Sequence, residues 1–75
     1  MSVFDLNKGE SAIIRSCGVT GSTLSRLSSL GITVGKKVTV LSFSLFKGSV
    51  LISCGAVRLG IRASIAKKIG VEKCV

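Results

Sequence analysis

Residues 11–17, SAIIRSC, alternate in a two-residue period that places Ala12 and Ile14 on one face and Ile13, Arg15 and Cys17 on the other. Such alternation predicts a first strand. The period then changes. In residues 22–30, STLSRLSSL, the side chains of Leu24, Leu27 and Leu30 stand three apart, which gives one apolar stripe on a short helix, with Ser22 or Thr23 available as its N-cap. Gly31 follows at the place where a helix stop needs left-handed backbone, and Ile32 then falls opposite Leu27 as the hydrophobic partner of that stop. The stripe of Leu24, Leu27 and Leu30 is expected to lie on the rest of the fold.

After a turn at Gly35, residues 37–43, KVTVLSF, alternate again, with Val38 and Val40 inward and Thr39 and Leu41 on the opposite face. Lys47-Gly48 reads as a hairpin connection into residues 49–54, SVLISC, and Gly55-Ala56 as a tight turn into residues 57–62, VRLGIR. In that last segment Val57, Leu59 and Ile61 share the core face, and Arg58, Gly60 and Arg62 face out. Residues 63–69, ASIAKKI, read as a short C-terminal helical turn, and GVEKCV as a final strand. The expected architecture is mainly β: a small barrel of about five strands with one short inserted helix. Contact between the first and last strands would remove exposed edges.

Composition sharpens this picture. The chain has 75 residues, enough for one domain, and 47% of them are hydrophobic, with three Phe and neither Tyr nor Trp, so the core must be aliphatic. Three cysteines, Cys17, Cys54 and Cys74, are odd in number and widely spaced, which suits reduced thiols in a reducing compartment better than a disulfide framework or a zinc site. No leader pattern or membrane-spanning run is visible, so a soluble, cytoplasmic protein is expected.

Chemistry is sparse. There is no His, and the carboxylates are Asp5, Glu10 and Glu72. A nucleophile lacks a base and an orienting partner, and no Gly-Lys-Ser/Thr phosphate loop occurs, so no catalytic residue is assigned and an enzyme is not expected. The same poverty of imidazole and carboxylate ligands argues against a metal site or a cofactor.

Two blocks of residues nevertheless have a familiar form. Arg26-Leu27, Leu30-Gly31, Gly35 and Val38 follow the pattern R-L-x-x-L-G-x-x-x-G-x-x-V. Gly55, Leu59-Gly60-Ile61-Arg62, Ala66, Ile69 and Val71 make a second block, and the Gly9 to Ile14 opening fits with them. This pattern resembles the FeoA family of bacterial ferrous-iron transport proteins and covers nearly the whole chain. The resemblance implies an SH3-like barrel with a short inserted helix. It also implies a cytoplasmic accessory protein acting with the membrane transporter FeoB, whose cytosolic portion is a GTPase domain. The chain departs from the family in having no proline around SLFKGS and in carrying Ile65 where an acidic residue is common. The same barrel occurs as the C-terminal domain of metal-dependent repressors, which makes a metal-sensing module an alternative reading.

Two surfaces are candidates for binding a partner. The first is the arm from Leu41 to Phe46, in which Leu41, Phe43 and Leu45 share a face opposite Val40, so that an apolar row is exposed unless a bulge turns Phe43 inward. Phe46 ends the arm, which could dock a partner or pair two copies of the chain. The second surface is basic. The net charge is +8, and Arg58, Arg62, Lys67 and Lys68 cluster in sequence, with Lys36-Lys37 at a strand entry and Arg26 on the helix. Such a surface attracts an acidic patch on the transporter or anionic lipid beside it. A nucleic-acid-binding barrel is the other reading of this charge, but it lacks the aromatic stacking platform that such barrels display.

Overall fold

The computed structural model describes residues 1–73, so residues 74 and 75 of the expected final strand, Cys74 included, lie outside the described residues. Five strands form at β1 (Ser11–Cys17), β2 (Lys37–Phe43), β3 (Ser49–Cys54), β4 (Val57–Arg62) and β5 (Ile69–Lys73), with helices α1 (Gly21–Ser29) and α2 (Ala63–Ala66). They make one antiparallel sheet in the order β4-β3-β2-β1-β5, curled around an aliphatic core. Ala12, Ile14, Val38, Val40, Val50, Ile52, Ile61, Ile69 and Val71 supply that core from the strands. In β2 the inward face is the one the alternation assigned, whereas in β4 only Ile61 of the expected core face is buried, and Val57 and Leu59, on an outer strand, stay half-buried. Val3 and Leu6 seal one end from a 3-10 turn at Val3–Asp5, and the N–H of Val71 donates to the carbonyl of Met1 at 2.9 Å.

β1 does pair with β5, as expected of first and last strands, but the pairing does not abolish edges. β1 lies inside the sheet, between β2 and β5, and the two outer strands are β4 and β5. A connection of only six residues, 63–68, four of them helical, joins those strands and turns the chain from one rim of the curled sheet to the other without a β4–β5 ladder.

The corner at Gly31 has the geometry of a Schellman stop. Gly31 sits at φ +85°, its N–H donates to the Ser28 carbonyl at 3.0 Å, and the Ile32 N–H reaches back to the Leu27 carbonyl at 2.9 Å. Gly35, at φ +94°, then gives its N–H to the Ile14 carbonyl at 2.8 Å and aims the chain into β2. The other end of α1 differs from expectation. Thr20 is the N-cap and its side chain makes no capping bond, so Ser22 and Thr23 fall inside the first turn. A glycine corner, Gly21 at φ +67°, opens the helix in place of a hydroxyl cap.

The leucine stripe also needs correction at one position. Leu27 is 3% exposed and Leu30 is half-buried against the core, but Leu24 is 38% exposed. Residues three apart on an α-helix step back by about 60°, so three such leucines sweep roughly 120° of the helix surface. Leu27, in the middle, faces the core squarely. Leu24, on the free first turn, is left at the rim.

Candidate partner-binding surfaces

The apolar arm takes a different form from the row that simple alternation implies. The register of β2 on β3 runs Thr39 to Ser53 and Val40 to Ile52, then slips, with Ser42 opposite Leu51 and Phe43 opposite Val50. One extra residue in β2 at Leu41 is a bulge, and it reverses the facing of Ser42 and Phe43, the strand residues that follow. Phe43 therefore turns toward the core, where its ring meets Phe4 edge-on at a centroid separation of 5.9 Å. Leu41 stays half-buried. So Leu41, Phe43 and Leu45 do not form an exposed row: the bulge turns Phe43 inward, and Leu45 projects because it has left the strand for the turn that follows.

What does project is the hairpin tip. Leu45 is 83% exposed and Phe46 92%, in a 3-10 turn spanning Leu45–Lys47. Phe46 and Lys47 lie at φ 62° and 54°, left-handed backbone that side chains with a Cβ seldom adopt and that costs on the order of 1–3 kcal/mol per residue. The turn is held from below by the Ser44 hydroxyl, which accepts the Ser49 N–H at 2.8 Å, and by the Ser49 carbonyl, which accepts the Ser44 N–H at 2.9 Å. Lys47 lies over the ring of Phe43 at 5.1 Å, the position of a cation–π contact.

The basic residues do not form one patch. Arg26 on α1 and Arg62 at the end of β4 line a groove of about 470 Å³ between the helix and the strand, together with Leu27, Leu30, Leu59 and Ile65. Arg58 projects from the same strand, exposed. Lys67 and Lys68 instead line a separate open cleft with Met1, Phe4 and Asp5, and Lys67 lies over the Phe4 ring at 5.1 Å. α2 divides the two groups: Arg62 is its N-cap and Lys67 its C-cap. Lys36 and Lys37 flank a third hollow, beside Cys54, whose thiol lies 3.8 Å from the Gly31 carbonyl. Leu59, Ile61 and Ile65 were read from sequence as core or helical-turn residues, and their place in the groove follows from β4 being an outer strand, which no pattern within the strand reveals.

The three carboxylates are all engaged away from that groove. Asp5 accepts the Ser2 backbone N–H at 2.8 Å and the Ser2 hydroxyl at 3.1 Å, and the backbone bond above all holds its pKa below the ordinary carboxylate value. Glu10 binds the Lys73 ammonium and accepts the Asn7 N–H at 2.6 Å, and it too is held low, chiefly by Lys73. Glu72 pairs with Arg15 at 2.7 Å across the β1–β5 ladder. The positive charge of Arg26, Arg58 and Arg62 is thus uncompensated by any of them. Among the described residues, no three of Cys, Asp and Glu gather as a metal-binding group, and no helix is long and apolar enough to cross a membrane.

The curled five-stranded antiparallel sheet with its inserted helix defines an SH3-like small barrel. Comparison with known proteins carries this further. The FeoA domain model matches residues 1–73, and the chain belongs to the FeoA family, accessory proteins of ferrous-iron transport. Its fold is similar to that of the FeoA protein from Chlorobium tepidum, at 27% identity and a TM-score of 0.95, covering 100% of this chain and 71% of that one. It is similar also to a zinc-complexed FeoA from Stenotrophomonas maltophilia, described as a prokaryotic SH3 domain protein, at 26% identity and a TM-score of 0.79 over 96% of this chain and 89% of that one. A manganese-dependent transcriptional repressor shares the fold, at 16% identity and a TM-score of 0.86 over 97% of this chain and 40% of that one. No curated protein matches the chain in sequence.

Proposed function

We propose that this protein is a cytoplasmic binding module that regulates a FeoB-type ferrous-iron transporter by docking on its cytosolic GTPase region, at the inner face of the membrane. It acts by contact, without a catalytic centre or a bound cofactor of its own. The observation that carries this reading is Phe46, 92% exposed and presented by backbone that would relax if the side chain were glycine. An apolar side chain kept outward against both hydration and conformational preference is the signature of a contact surface. Leu45 beside it and the uncompensated Arg26, Arg58 and Arg62 supply apolar anchoring and long-range attraction to an acidic partner.

The test is capture of the purified cytosolic domain of the transporter by the wild-type chain and by Phe46→Ser. Wild-type capture that the substitution abolishes, at moderate salt, supports the reading. Equal capture by both proteins removes the hairpin tip as the docking surface.

A further inference from the structure

β4 is an outer strand, and its register settles which of its backbone groups are free. The β3–β4 hairpin closes over Gly55 and Ala56, so Cys54 and Val57 form the hydrogen-bonded pair beside a two-residue turn. Alternation then makes Ile52–Leu59 and Val50–Ile61 hydrogen-bonded pairs as well. The other side of β3 agrees: the Ser49 carbonyl accepts from Ser44 on the β2 side, so the odd-numbered residues of β3 serve β2 and the even-numbered ones serve β4. The N–H and C=O of Arg58 and Gly60, and the N–H of Arg62, therefore point away from the sheet. Among the described residues no strand takes them up.

Those free groups border the groove whose opposite wall is α1. Leu27, Leu30 and Ile65 give it an apolar lining, and Arg26 and Arg62 charge it. Gly60 carries no side chain on this edge, and the space around it is open: a Cβ there would have only the Val50 carbonyl oxygen near it, at 4.0 Å. Among the described residues no carboxylate and no aromatic ring lines the groove, so a nucleobase has nothing there to stack on, while an acidic chain meets no like charge from them. A flat lipid surface would leave these outward-pointing edge amides unsatisfied.

We propose that β4 accepts an acidic extended segment of a partner protein as an added strand. The segment's backbone bonds to Arg58, Gly60 and Arg62, alternate apolar side chains enter the groove toward Leu27 and Leu30, and its carboxylates meet Arg26, Arg58 and Arg62. This is β-strand addition, in which main-chain bonds supply affinity and the side-chain groove supplies choice. The inference deepens the docking reading above, and its test separates the two.

The probe is a short synthetic peptide of alternating Glu and Val, titrated into the isotopically labelled full chain, with a Lys-Val peptide as control. The acidic peptide is expected to shift the Arg58, Gly60 and Arg62 amide resonances and to slow their hydrogen exchange by about tenfold or more, and the Lys-Val peptide to do neither. Gly60→Pro deletes an outward N–H without touching the β3 ladder, and it should weaken peptide binding by about tenfold. Arg26→Glu should do the same through charge alone, with the core resonances unmoved. Three outcomes overturn the proposal: no binding of the acidic peptide, unchanged exchange at Arg58 and Gly60 when it is bound, or preference of these residues for single-stranded DNA or phosphatidylglycerol vesicles over the peptide. Capture of the transporter's cytosolic domain that survives Gly60→Pro but not Phe46→Ser overturns the edge and supports the tip. Peptide binding at β4 without any capture of that domain supports the edge and overturns the transporter as partner.

Discussion

Ile32 donates its backbone N–H to the Leu27 carbonyl at 2.9 Å, and the two side chains are buried in the same core. The end of α1 and the anchoring of α1 are therefore one structural event. Arg26, which lines the groove, is the residue just before this anchor and takes its position from it.

Leu27→Ala should cost about 2–5 kcal/mol, the range for truncating a buried leucine. Leu24→Ala, on the exposed rim, should stay within about 0.5 kcal/mol of wild type. Thermal melts of the two variants check this. In a domain of this size each kcal/mol moves the midpoint by roughly 4–8 °C, so the two should separate clearly. Equal midpoints would contradict the docking of α1 through Leu27.

Gly31→Ala places a Cβ on backbone at φ +85°, with open space around it, so the cost is conformational and not steric. It should be about 1–2 kcal/mol. Gly31→Asn should lose less, since asparagine tolerates left-handed geometry. Denaturant midpoints at unchanged slope would verify both.

Phe46→Gly separates stability from function. It removes the penalty of a left-handed phenylalanine at φ 62° and should raise stability by about 1 kcal/mol after the glycine's own entropy is counted. Capture of the transporter's cytosolic domain should fall by about ten- to a hundredfold, since burying one such side chain is worth about 1.5–3 kcal/mol. Paired melting and affinity measurements read the two effects, and a variant that is less stable and binds equally well would contradict both halves.

The pH profile follows from Asp5 and Glu10. Both carboxyls have folded pKa values below their ordinary 3.8 and 4.5, so at acid pH the unfolded chain takes up protons first. The stabilisation from the Ser2, Lys73 and Asn7 bonds is thus fully present above those ordinary values and is lost as pH falls through the lowered ones. Melting points should be flat from neutral pH to about 5 and decline below it. Glu10→Gln should flatten part of that decline.

Much of this architecture is written in side-chain period. The bounds of β1, β2, β3 and β4 match the alternating segments, because each strand buries one face and a two-residue repeat records it. The stop at Gly31 was legible for a related reason, since a left-handed corner selects glycine and the hydrophobic contact selects Ile32. Phe43 was not legible. Within LSFSLF nothing distinguishes an even strand from one with an extra residue at Leu41, and the distinction appears only when β3 is laid beside it. The groove was hidden for the same cause. Arg26 and Arg62 are brought together by β4 lying outermost and α1 folding across, which is a matter of strand order and not of spacing. Lys67 and Lys68, only five and six positions after Arg62 in sequence, are separated from it by a single short turn of helix.

The pairing of β1 with β5 has a kinetic corollary. Arg15 and Glu72 meet across 57 positions of chain, whereas β3 and β4 meet across a two-residue turn. Closing a loop grows dearer by about 0.6 kcal/mol for each doubling of its length, so the β3–β4 hairpin can flicker into place early and the outer ladder on β1 must come late. Until that last rung settles, Ile14 and its neighbours lie uncovered on one flank, and the nascent molecule is most prone to clump in that interval.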